Sequence, residues 1–124
     1  MNADWKSLCS AEDMIVEDAD VVINFGDDRS HRVRVRETDD EFVLRAFVVR
    51  QSVVASIPDL PIQVWQRNRA ATLMGFRIDK RGRLVGEAWI PKAGLSGEEF
   101  QLYVRHLAVE SDRFEYRLTG RDSE

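Results

Sequence analysis

The segment from Ser96 to Gly120 constrains the fold most, because it predicts one long amphipathic helix over residues 96–119. Ser96 and Glu99 have the spacing of a capping box, in which the two side chains bond the free backbone N–H groups of a helix start. Gly120 stands where a left-handed residue commonly ends a helix. Mostly apolar residues recur between them at the spacing of one buried stripe, which needs a wide partner surface such as a β-sheet. The stripe comprises Phe100, Tyr103, Val104, Leu107, Ser111, Phe114 and Leu118.

Residues 14–50 predict a three-stranded antiparallel meander. Val21–Phe25 places apolar residues on one face, and His31–Arg36 alternates strictly, with valines inward and arginines outward. Phe42–Arg50 is apolar on both faces. Such a strand is central in its sheet or presents one face to another chain.

A second helix is predicted over residues 58–75, followed by a hairpin over residues 76–90. Asp59 is the candidate helix cap, and Pro61 falls in the first turn, where its missing N–H is harmless. Gly82 supplies the positive φ that a tight hairpin connection favours.

The fold class that follows is α+β, an antiparallel sheet of about five strands with helices packed on it, in the order (α)βββαββα. The first helix of that order is short and lies within residues 1–13. Strands and helices come in separate runs, which is typical of this class. A length of 124 residues, 44% of them hydrophobic and 32% charged, suits one globular domain.

Charge and cysteine content limit the kinds of partner and the cellular compartment that we expect. The net charge of −4 draws the chain neither to nucleic acid nor to an anionic membrane. The lone Cys9 excludes an intrachain disulfide and suggests a reducing compartment. No apolar run approaches ~18 residues and the N-terminus lacks an export signal, so we expect a cytoplasmic protein without membrane contact.

No catalytic or metal-binding motif is present, so we expect a protein without enzymatic activity and without cofactors. His106 and Glu110 are four residues apart on the predicted last helix and are able to pair, but a solvent-side contact explains such a pair. Two histidines and one cysteine show no metal-ligand spacing. Neither the Walker phosphate loop nor the dinucleotide glycine fingerprint occurs.

Exposed apolar residues are the better candidates for function, since aromatic side chains often anchor protein interfaces. Three of the candidate residues lie on the outward face of the Phe42–Arg50 strand, and the other two are tryptophans outside that strand. For that strand face and for Trp89 there are two interpretations: they bind a partner, or they are covered by helices of this chain or by a second subunit. For Trp65 the two interpretations are a core residue and part of a dimer seam. The candidate partner-binding residues are Val43, Phe47, Val49, Trp65 and Trp89.

The arginine stripe of Arg32, Arg34 and Arg36 supports an alternative function. It suits the binding of nucleic acid or another acidic ligand through the strand from Arg29 to Arg36. The other interpretation is a solvated strand face that is paired across the sheet with acidic neighbours. No aromatic residues interleave with the arginines, and the chain is acidic, so nucleic acid is the less favoured partner.

Three segments carry a family resemblance. Val64–Arg69, the hairpin segment Phe76–Leu84 and the helix-leading segment Trp89–Glu99 resemble the corresponding parts of the YbjN family of bacterial proteins. The element order is similar to the fold that this family shares with type III secretion chaperones. The resemblance implies a bacterial, non-enzymatic domain, commonly a homodimer, that holds a partner polypeptide on a sheet or helix surface.

Overall fold

The computed structural model describes residues 5–120, in which six strands form one antiparallel sheet. In chain order the elements are α1 (Trp5–Leu8), β1 (Met14–Glu17), β2 (Asp20–Gly26), β3 (Arg29–Glu37), β4 (Glu41–Val49), α2 (Gln51–Ala55), α3 (Leu60–Ala70), β5 (Gly75–Ile78), β6 (Leu84–Pro91) and α4 (Gly97–Thr119). The strands are ordered β1-β2-β3-β4-β6-β5 across the sheet.

The predicted α+β class is confirmed, and the sheet has one strand more than the five expected. The extra strand is β1, which forms a hairpin with β2 through the pairs Met14↔Ile23 and Glu17↔Asp20. Asp18 has a φ of 55° in the connection, a left-handed conformation that aspartate tolerates better than most residues. The acidic segment of residues 17–20 therefore contains the turn of a hairpin.

Helix α4 lies across the sheet, where its buried residues meet β2, β3, β4 and β6. Ser96 Oγ accepts a hydrogen bond from the Glu99 N–H at 3.1 Å, and Glu99 Oε1 accepts one from the Ser96 N–H at 2.9 Å, so the capping box forms. Gly120 ends the helix at a φ of 75°. Phe100, fully buried in the main core, packs edge-to-face on Phe42 with ring centroids 5.1 Å apart.

The segment predicted as one helix over residues 58–75 contains α3 alone, which ends at Ala70. Asn68 explains the early end, because its side chain bonds both the N–H and the C=O of Phe76, at 2.8 and 2.9 Å. These bonds tie the helix end to the start of β5, where Gly75 is the first strand residue instead of the helix stop. Asp59 occupies the N-cap position, but its side chain makes no cap hydrogen bond.

A second core lies between α2, α3, the β5–β6 hairpin and the end of α4, and Val48 and Val49 both belong to it. Their shared burial comes from a register shift in the β4–β6 pairing between Phe47 and Val49. Such a bulge breaks the inward–outward alternation of a strand. The prediction that Val49 lies on the outward face was therefore wrong.

Candidate functional site

One face of the sheet is not covered by any helix of residues 5–120. The helices contribute their buried residues to the two cores on the opposite face, together with Phe42, Leu44 and Ala46 of β4. Strand alternation and register then place the remaining strand residues on what we call the open face. Its side chains include those of Ile15, Glu17, Asp20, Val22, Asn24, Arg32, Arg34, Arg36, Val43, Arg45, Phe47, Arg77, Val85, Glu87 and Trp89.

A row of charged residues crosses the middle of the open face. Arg34 and Arg45 are direct cross-strand partners at its centre, an arrangement that by itself is unfavourable. Each arginine also bonds an acid on its other side: Arg34 Nε lies 2.9 Å from Asp20 Oδ1, and Arg45 Nε lies 2.8 Å from Glu87 Oε2. The acids hold two like charges side by side on the surface.

Glu87 is the most buried of these acids, with 2% of its surface exposed. Its carboxylate accepts hydrogen bonds from Arg45, at 2.8 Å, and from Arg77 Nε, at 2.6 Å. Burial alone would raise the pKa of Glu87, but the hydrogen bonds from the two arginines outweigh burial and hold that pKa below its ordinary value. The group is an ionised anchor for the arginines.

The arginine stripe is divided by its partners. Arg32 bonds Asp20, at 3.0 Å, and Glu17, at 2.8 Å, and these bonds raise the pKa of its guanidinium. With Arg34 also on Asp20, two of the three stripe arginines are paired with acids across the sheet. Arg36 makes no ion pair with the residues that the structure describes. Because Arg32 and Arg34 are paired with acids of the same sheet, the structure does not support the alternative function of binding nucleic acid through this strand.

A cavity of about 380 Å³ opens on the same face beside the charged row. Arginine side chains outnumber acids in its wall, and an aromatic ring and a valine provide the apolar part. All four arginines of the wall are paired with acids of this chain, Arg32 and Arg34 with Asp20, Arg45 with Glu87 and Arg83 with Asp79. The lining residues are Asp20, Arg32, Arg34, Arg45, Phe47, Arg83 and Val85.

Two exposed aromatic residues flank the charged row. Phe47 is 46% exposed and pairs with Val85, whereas Trp89 is 54% exposed and pairs with Val43. The row that contains Arg45 lies between them. Val43 faces outward as predicted, but it is buried beside its cross-strand neighbours, so it supports Trp89 instead of offering a free surface.

Trp65 lies on a different surface. Its side chain is 59% exposed on α3, so the core interpretation of this residue was wrong. Ile62, one turn earlier on the same helix, is also 59% exposed, and the Arg69 guanidinium stacks over the Trp65 ring at 4.9 Å. Only Leu60 of α3 is fully buried, and the helix packs beside β5 on the helix-covered side of the sheet.

The histidines do not form the acid–base pair that the spacing of His106 and Glu110 allowed. His106 Nε2 hydrogen-bonds the Thr72 carbonyl at 2.8 Å, and Glu110 accepts a bond from Arg113. His31 is buried beneath the sheet, with Nε2 at 2.8 Å from the Phe47 carbonyl. No helix within residues 5–120 is long and apolar enough to cross a membrane.

No protein-family model matches the sequence, and no curated protein matches it either. The YbjN resemblance therefore has no further support. Solved structures, in contrast, do match: the ExsC–ExsE complex has a TM-score of 0.58 at 20% identity, covering 78% of this chain and 74% of that chain. The ExoU–SpcU complex from the type III secretion system of Pseudomonas aeruginosa has a TM-score of 0.58 at 15% identity, covering 85% and 87%.

A third match is the Yersinia pestis type III secretion chaperone SycH in complex with a stable fragment of YscM2. Its TM-score is 0.54 at 12% identity, covering 94% of this chain and 100% of that chain. Identities this low show the fold alone. The chain therefore shares the α+β fold of type III secretion chaperones.

Proposed function

We propose that this protein is a chaperone-like module without enzymatic activity that binds an extended segment of a partner polypeptide on its open face. The observation that carries the proposal is the pair of exposed aromatic residues, Phe47 and Trp89, on a sheet face that no helix of the described residues covers. Exposed aromatic anchors beside charged groups are typical of protein-binding surfaces. All three neighbours in fold are complexes between two proteins, and SycH is a type III secretion chaperone bound to a partner fragment, which supports the same function.

The spacing of the anchors indicates what kind of segment fits. Trp89 pairs with Val43, four residues before Phe47 on β4, so the two anchor positions are about 13 Å apart along the strands at the usual rise per residue. A partner in extended conformation reaches both with side chains four residues apart.

The homodimer that the family resemblance implies is part of the proposal, and we assign it to α3. Ile62 and Trp65 share one exposed side of that helix. This side is apart from the open face, so pairing there leaves the partner surface free. We expect light scattering to give twice the chain mass, and Trp65→Glu to reduce it to the chain mass, whereas the exposed Leu102→Asp on α4 leaves it unchanged. A monomeric parent protein would refute the assignment.

A cytoplasmic location also belongs to the proposal. Cys9 is the one cysteine of the sequence, and its thiol is buried and forms no disulfide. Free thiols of this kind suit a reducing compartment.

Capture of the partner from the native host, followed by mass spectrometry, tests the main proposal. We expect one polypeptide to remain bound at high salt and to be lost with Phe47→Asp or Trp89→Ala. Leu102→Asp is the matched control, because Leu102 is as exposed as Trp89, at 54%, but lies on α4. A polypeptide that is retained by both open-face variants, or released by the control, would contradict the proposal.

A further inference from the structure

The side chain of His31 is buried, with 6% of its surface exposed, and one of its two ring nitrogens has a hydrogen-bond partner. Nε2 lies 2.8 Å from the Phe47 carbonyl, which only accepts, so the Nε2 proton makes that bond. Nδ1 is buried and has no hydrogen-bond partner among the described residues. In the tautomer that carries its one proton on Nε2, Nδ1 presents a lone pair to the layer between sheet and helix.

Two carboxylates of α4 face that lone pair. Asp112 and Glu115 are three residues apart and share one side of the helix. Asp112 Oδ1 is 3.6 Å and Glu115 Oε1 is 3.9 Å from Nδ1. The other Asp112 oxygen is held by Arg29, so Oδ1 is the one directed at the histidine.

The distances identify what fits between these groups. A proton on Nδ1 would need an oxygen within about 3.2 Å for a good hydrogen bond, and neither carboxylate is that close. Ligands bound about 2.0–2.2 Å from one metal ion lie roughly 3.0–3.5 Å from each other. The three ligand atoms are all within 4.8 Å of one another, so movements of a few tenths of an ångström to about 1 Å would close them around an ion.

We propose that His31 Nδ1, Asp112 Oδ1 and Glu115 Oε1 bind a divalent transition-metal ion that links β3 to α4. One imidazole and two carboxylates suit Zn²⁺ and its first-row neighbours better than Mg²⁺ or Ca²⁺, which prefer oxygen ligands alone. The bond from Nε2–H to the Phe47 carbonyl is the outer contact that usually orients a metal-binding histidine.

The surroundings allow an ion to reach the site and compensate its charge. A cavity of about 230 Å³, open to solvent, includes Asp112 and Arg29 in its wall. The two carboxylates and Arg29 together carry one net negative charge, which a divalent ion reverses to one positive charge. The proposal is independent of the proposed function, because these side chains lie on the helix-covered side of the sheet.

Titration of the purified, chelator-treated protein with Zn²⁺ in a calorimeter, and with Co²⁺ followed by visible absorption, tests the proposal. We expect one ion per chain, a Co²⁺ spectrum typical of mixed nitrogen and oxygen ligands, and a rise in the melting temperature of several degrees with excess Zn²⁺. His31→Gln, whose amide is able to donate to the Phe47 carbonyl, should weaken binding at least about tenfold.

Two further variants separate this site from others. His106→Gln removes the other histidine of the chain and should leave the affinity unchanged. Glu115→Gln, at a position less buried than His31, should weaken binding like His31→Gln and guards against misfolding of the latter. Cys9 is not a competing ligand, because burial raises the pKa of its thiol to about 11.

The result that overturns the proposal is the absence of saturable Zn²⁺ or Co²⁺ binding. Binding that survives both His31→Gln and Glu115→Gln also overturns it, because the ion then sits elsewhere. Binding lost with His106→Gln has the same consequence.

Discussion

Replacing Gly86 with alanine would insert a methyl group where β6 packs tightly against Ser111 and Leu107 of α4. A Cβ at this position would stand 2.7 Å from Ser111 Oγ and 3.0 Å from Leu107 Cδ1. Real Cβ atoms do not tolerate 2.7 Å, so the helix or the Ser111 side chain has to move. The variant therefore tests whether α4 is packed on the sheet as described.

The expected magnitude follows from two opposing terms. Forcing an extra methyl group into a packed core costs about 1–3 kcal/mol, and exchanging glycine for alanine in a strand returns about 0.5–1 kcal/mol. The difference between these terms runs from about zero to about 2.5 kcal/mol, and the 2.7 Å approach to Ser111 Oγ places Gly86→Ala in the upper part of that range. We expect the free energy of unfolding to fall by about 1–2 kcal/mol, which is about 4–8 °C in melting temperature at this chain length. Urea unfolding followed by circular dichroism measures it.

Ser111→Ala supplies the matched variant. Ser111 is fully buried, and its hydroxyl has no hydrogen-bond partner among the described residues, so its removal should not lower stability. In the double variant the nearest clash is gone, and the ends of the Leu107 and Met74 side chains remain close to the new methyl group, at 3.0 and 3.2 Å. We expect a coupling of about 1 kcal/mol or more between the two positions. An unchanged stability of Gly86→Ala, or strictly additive effects, would refute the described packing.

Three further results are expected. Ser96→Ala removes one half of the capping box and should lower the free energy of unfolding, measured by urea titration, by about 1 kcal/mol. Glu99→Gln keeps a side-chain oxygen that is able to accept the hydrogen bond from the Ser96 N–H, so it should lower the free energy of unfolding less. Glu87→Ala should cost about 1–2 kcal/mol, a figure reduced because Arg45 and Arg77 are about two-fifths exposed and regain water. The pKa of Glu87 in the folded protein is depressed below its ordinary value of 4.5, so its contribution to the free energy of unfolding is complete above pH 4.5 and is lost as the pH falls through the folded-state pKa. The parent protein should therefore lose more stability on acidification than Glu87→Ala does.

Local signals made the last helix predictable. The capping box at Ser96 and the glycine at position 120 each act within one turn, the apolar stripe repeats at helical spacing along α4, and the structure has all three. The outward position of Trp89 also followed from simple alternation. These features depend on neighbours in sequence, so the sequence alone was sufficient.

Long-range features were not predictable in the same way. A bulge between Phe47 and Val49 turned Val49 into the core, and nothing in the apolar run marks it. Trp65 was left as a core residue or part of a dimer seam, because helical spacing shows which residues share a side of a helix but not whether that side is covered. His31 and Asp112 are distant in the chain, and only the packing of α4 on β3 brings them together.

The three tryptophans of the chain allow the most direct test of partner binding. Trp5 is buried in the core, Trp65 is exposed on α3, and Trp89 is exposed on the open face. Nitrogen-15 NMR resolves the three indole N–H signals, and they should be followed while the captured partner segment is added to the labelled protein. We expect the Trp89 signal to shift or broaden while the Trp5 signal stays in place. A bound segment that leaves Trp89 unchanged would contradict the assignment of the open face as the binding surface.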